Sequence, residues 1–124
     1  MEKQRDKTVK MAIPSKGICD VNELLRQIFW REPEMVRHAR EFLDYVKEWG
    51  RTESPYRVEE WKNYCIRRGI TQSQYHNMLK RLRMSGMIEK VYNKNKGTHE
   101  IHISRKFSDI VFSMFRVWEN YTNN

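Results

Sequence analysis

Residues 69–86 spell out one helix with both ends specified, and this narrows the possible folds more than any other stretch of the chain. Thr71 and Gln74 stand three apart, the spacing of a capping box, in which each side chain satisfies an amide that the first turn leaves without a partner. Tyr75, Met78, Leu79 and Leu82 follow at i, i+3, i+4 and i+7, so they form one apolar stripe. Gly86 supplies the stop near Ser85.

The preceding residues predict another helix over 58–68, with Trp61, Tyr64 and Cys65 on its inner side. Gly69 and Ile70 alone separate it from the capped helix, which is the sequence form of a helix-turn-helix. Upstream, Asp20 with Glu23 suits a capping arrangement for a helix carrying Leu24, Leu25, Ile28 and Phe29. Pro33 opens the next helix at its first position, where a missing amide costs nothing. That helix has the clearest stripe: Met35, Val36, Ala39, Phe42, Leu43, Val46 and Trp49, with Gly50 as its C′ residue. Residues 51–57 form a link with room for a short extended stretch.

Beyond Gly86, Met87–Tyr92 and Thr98–Ser104 are expected to be extended, joined by the polar turn Asn93-Lys94-Asn95-Lys96-Gly97. Ile101 and Ile103 alternate with His102, as on a strand with one inner face. This predicts a β-hairpin with a basic tip. A last helix, about 108–121, has a broad apolar surface that includes Ile110, Val111, Met114, Phe115, Val117, Trp118 and Tyr121. Residues 1–17, interrupted by Pro14 and Gly17, read as a flexible basic arm.

The chain has 124 residues and a net charge of +8, unevenly placed. Residues 57–96 hold 10 basic and 3 acidic side chains, whereas 1–56 hold 11 and 10, and 97–124 hold 3 and 3. A local excess of this kind is the footprint of a polyanion partner. From Thr71 to Met87 there are Lys80, Arg81 and Arg83 and no Asp or Glu.

Other classes drop out. Hydrophobic residues at 39% and aromatics at 12% are too many for a disordered chain. No apolar run approaches the roughly 18 residues of a membrane span, and Met1–Lys16 lacks the apolar core of a secretory signal. Cys19 and Cys65 lie 46 positions apart with no CxxC, so reduced thiols are expected rather than a zinc site. His99 and His102 fall on opposite strand faces, and His38 and His76 on separate helices. There is no P-loop, no GxGxxG, no nucleophile elbow and no acid cluster fit for two metals. No catalytic residue, metal or cofactor is expected, and the chain reads as non-enzymatic.

Helix, link, helix, tight turn, capped helix and lysine-tipped hairpin together resemble a winged helix-turn-helix DNA-binding domain. The similarity lies in Val58-Glu59-Glu60-Trp61 to Gly69, Thr71 to Leu82, and Ser85-Gly86-Met87-Ile88, within a core of about residues 33–104. Many small bacterial and archaeal transcription regulators of that superfamily also carry a C-terminal helix. The resemblance implies a mainly α fold with a small β-hairpin wing and extra N- and C-terminal helices, spanning residues 18–124. It implies a cytoplasmic, nucleoid-associated regulator that binds double-stranded DNA.

The exposed side of the capped helix fits that expectation on its own chemistry. Leu79, Met78 and Leu82 lie within about 60° of Tyr75 at 100° per residue. Ser73, Asn77, Lys80 and Met84 fall opposite, flanked by Gln74, His76 and Arg81, with Gln72 at the start. Amides suit adenine and Arg or Lys suits guanine in the major groove, so these residues are the expected readers. Lys94, Asn95 and Lys96 are the expected wing contacts, and Arg57, Arg67, Arg68, Arg83 and Lys90 the expected phosphate contacts. The terminal helices, Val21–Phe29 and the apolar last helix, are expected to form a homodimer that reads a near-palindromic site. A winged-helix adaptor for an acidic protein surface, or a non-specific architectural DNA protein, would share the charge map.

Overall fold

Asp20 Oδ1 accepts the Glu23 amide at 2.8 Å and starts α1, Val21–Ile28. The Glu23 carboxylate reaches one residue further back than a capping box requires, to the Cys19 amide at 2.8 Å. The computed structural model describes residues 17–124, so the expected basic arm, 1–17, lies outside the described residues except for Gly17. The chain divides into two units, 1–41 and 42–124, with the boundary inside α2, Pro33–Trp49.

In the first unit, Leu25, Trp30, Met35, Val36 and Ala39 are buried, and Arg40 donates to Asn22 Oδ1 at 3.2 Å. His38, outside the apolar stripe, is also buried, with its Nε2 3.4 Å from Glu34 Oε2. Trp49 does not complete the stripe, being 41% exposed. Gly50 is not a left-handed C′ residue either. Its amide donates to Val46 O at 2.8 Å, and the helix then tightens into i−3 bonds from Arg51 to Glu48 O and Thr52 to Trp49 O.

The second unit is mainly helical with a small two-stranded antiparallel sheet. A 3-10 turn, Val58–Glu60, leads into α3, Trp61–Arg68, so the helix expected over 58–68 is wound tightly for its first three residues. Gly69 takes φ +66 and Ile70, buried, donates its amide to Cys65 O at 3.1 Å. Then Thr71 caps α4, Gln72–Ser85, with both capping-box bonds at 3.1 Å. Gly86 ends α4 at φ +87. β1, Ile88–Asn93, pairs with β2, Thr98–Ile103, in the register Ile88↔Ile103 to Asn93↔Thr98. The link contributes an extended residue: Arg57 bridges Glu100, and Tyr56 O accepts the Ile101 amide at 3.0 Å. α5, Lys106–Thr122, completes the chain.

Aromatic rings fill the centre of this unit. Phe42 meets Tyr56, Tyr64 and Tyr75 edge-on at centroid distances of 5.4 to 6.0 Å, the arrangement that ring quadrupoles favour. Met78, Leu82, Ile88 and Ile101 are buried around the same core, each contributing about 1.5–3 kcal/mol on transfer from water. Burial also pushes the Cys65 thiol pKa up, which keeps it protonated and unreactive.

Candidate nucleic-acid interface

α4 is seated by Tyr75, Met78, Leu79 and Leu82, all buried. The stripe turns Gln72, Ser73, His76, Asn77, Lys80, Arg81 and Arg83 to the exposed side. Gln74 is half-buried and committed to the cap, where its Oε1 accepts the Thr71 amide. The His76 ring lies 5.2 Å from Trp61 and 5.3 Å from Tyr75, so its orientation is set by the α3–α4 aromatic stack. Lys80 and Arg83 line an open concavity of about 460 Å³ with His76, Leu79 and Met84. Met84 is 76% exposed and Met114 57% exposed. Met78 and Met87 are buried instead, and Met84 stands open because it falls on the far side of α4 from its stripe.

The hairpin tip is held from within. Asn93 Oδ1 accepts the amides of Asn95 at 3.0 Å and Lys96 at 3.2 Å, and Gly97 donates to Asn93 O at 2.8 Å. The other end of the same side chain, Nδ2, donates to Glu100 Oε2 at 2.7 Å. His102 Nε2 meets Glu100 Oε1 at 2.9 Å. The Asn93 and His102 hydrogen bonds hold the Glu100 carboxyl below its ordinary pKa. Lys94, Asn95 and Lys96 are exposed on this frame, and Lys96 Nζ lies 3.4 Å from Glu53 O. Tyr92 is 54% exposed with its ring 4.9 Å from His99, whose Nδ1 meets Glu59 at 3.1 Å.

The expected phosphate contacts divide into two groups. Lys90 and Arg83 are exposed. Arg57 pairs with Glu60, Arg67 donates to Tyr45 Oη at 3.1 Å, and the Arg68 guanidinium covers the Tyr45 and Tyr64 rings at 5.5 and 5.6 Å. These three side chains already brace the fold, and an anion would have to share them. Nothing in the local sequence marked Tyr45 as the partner of Arg67 and Arg68, since it lies on another helix. Among the described residues, no group of three or more His, Cys, Asp or Glu side chains is placed to hold a metal ion. No described helix is long and apolar enough to cross a membrane.

The second unit thus defines a mainly helical protein with a small antiparallel hairpin, in which the acid-free α4 and the Lys94–Lys96 turn both expose cationic side chains. Residues 20–122 match the model of an archaeal family, and the chain belongs to that family. No curated protein and no solved structure matches it.

Proposed function

We propose that this chain is a non-enzymatic, winged-helix transcription regulator that binds double-stranded DNA. The observation that carries the reading is the exposed face of α4, cationic and free of acids, on a helix whose opposite face is fully buried. Ser73, Asn77, Lys80 and Arg81 read base edges in the major groove, while Lys94 and Lys96 at the hairpin tip meet phosphates. Gln72 and His76 flank that face; Gln74 contributes by holding the helix start. Two copies bind together as a homodimer on a near-palindromic site. The protein acts in the cytoplasm, associated with the nucleoid.

Selection of bound duplexes from a random pool, followed by affinity measurements at two salt concentrations, tests the reading. An enriched sequence with log K falling against log salt at a slope of about −4 is expected if four or five cations meet phosphates. The same slope with no enriched sequence makes the protein an architectural DNA coat. Weak binding to every duplex points to an acidic protein partner instead, for which exposed Met84 beside Arg83 would provide an apolar anchor.

A further inference from the structure

Among the described α-helices, α5 alone has no buried residue. At 100° per residue, Ile110, Val111, Met114, Val117, Trp118 and Tyr121 fall within about 80° of Phe107. They are between 44% and 73% exposed. Asp109, Arg116 and Glu119, the helix's charges beyond its first residue, lie more than about 100° from the same centre. With Phe115 on its flank, the exposed fractions along this arc amount to surface on the order of the ~800 Å² that one partner gives to a standard-size interface. A patch of that size is too large to be ordinary on a monomer.

We infer that α5 pairs antiparallel with α5 of a second copy, through the arc centred on Met114 and Trp118. The inference gives a structure to the homodimer of the reading above and is independent of what α4 binds. α1 has no comparable share: Leu25 is already buried within its own unit, and Val21 alone among its described apolar side chains is exposed. The arc carries no charge, so it has nothing with which to select a partner of opposite sign, whereas the same uncharged arc on a second copy meets it without stranding any charge. Antiparallel pairing opposes the two helix dipoles. It also places the two basic segments, residues 57–96 of each copy, at opposite ends of a pair about 25 Å long, well beyond the ~8 Å screening length of physiological salt. Parallel pairing would set two segments of net +7 side by side.

Sedimentation equilibrium of the full chain is expected to show a dimer at micromolar concentration. Trp118→Glu, or Val117→Glu should the first variant lose helical circular dichroism, is expected to weaken association at least tenfold. Disulfide trapping in a Cys19→Ser background tests the direction. Met114→Cys is expected to link to itself, while Ile110→Cys and Trp118→Cys link to each other when mixed and not to themselves. Self-linking at all three positions makes the pairing parallel and overturns the inference. So does a monomer at tens of micromolar, including one that instead co-floats with phosphatidylcholine vesicles. A dimer indifferent to both glutamate variants overturns it as well. Loss of DNA binding by wild-type protein that is dimeric would refute only the α4 reading.

Discussion

The hydroxyls of Tyr56 and Tyr75 lie 2.7 Å apart inside the core, joining the link before α3 to the first turn of α4. Both rings are at least 96% shielded from solvent, with exposures of 4% and 0%. Desolvation raises both phenol pKa values, Tyr75 to about 12. The pair is therefore a neutral hydrogen bond that water cannot replace. Tyr56→Phe leaves the Tyr75 hydroxyl buried without this partner and is expected to cost about 1–3 kcal/mol in denaturant unfolding. The double variant Tyr56→Phe/Tyr75→Phe is expected to recover part of that loss, because no polar group is then stranded. A double variant no better than the single would contradict this account.

Gly69 and Gly86 both have positive φ, but their surroundings differ. A Cβ at Gly69 meets nothing within 4 Å, whereas at Gly86 it would approach Phe107 N at 3.0 Å and the Lys106 Cβ at 3.1 Å. Gly69→Ala is expected to cost about 1 kcal/mol, for the left-handed backbone alone. Gly86→Ala adds a backbone clash and is expected to cost about 3 kcal/mol. Thermal unfolding of the two variants side by side measures the difference, and equal losses would remove the clash from the explanation.

The Glu100 carboxyl has a folded pKa below its ordinary value of 4.5 because Asn93 and then His102 hydrogen-bond its charged form. A depressed carboxylate binds fewer protons folded than unfolded, so its stabilisation is present above pH 4.5 and is lost as pH falls through the folded value. Glu100→Gln is expected to flatten the fall in stability below about pH 5 relative to wild type, read by urea midpoints. The same variant keeps an acceptor for Asn93 Nδ2, so amide signals of Asn95 and Lys96 should stay in place at neutral pH.

The proposed division of labour on α4 and the hairpin separates by salt and sequence. Arg81→Ala is expected to cost about 1–3 kcal/mol on the selected duplex and to relax preference at one position. Lys96→Ala is expected to weaken all duplexes alike and to lower the salt slope by about 1. Fluorescence anisotropy on selected and scrambled duplexes distinguishes them; uniform loss for Arg81→Ala would make it a phosphate contact.

Local signals made α4 legible from the sequence. Thr71, Gln74, the stripe and Gly86 all act within one helix, and each is found in its expected role. The hairpin was legible for the same reason, through the turn Asn93–Gly97. Tyr56 was not, because it sits beside Pro55 in an irregular link and is buried by residues distant in sequence. Gly50 misled because glycine permits a left-handed end without requiring one. The periodicity of α5 revealed which side is apolar, but periodicity is identical whether that side meets a core or stands open. Among the candidate contacts, exposure of Asn77 and Lys80 followed from the stripe, whereas the engagement of Arg67 and Arg68 depends on Tyr45, a non-local ring.

The hairpin leaves and returns at almost the same point. Phe107 donates to Gly86 O at 3.0 Å and Ser104 to Met87 O at 2.8 Å, so its two stems are stitched together beside the end of α4. α5 therefore departs from a root that is closed independently of the tip, while the Asn93–Glu100 and His99–Glu59 contacts limit any change of reach to the turn beyond them.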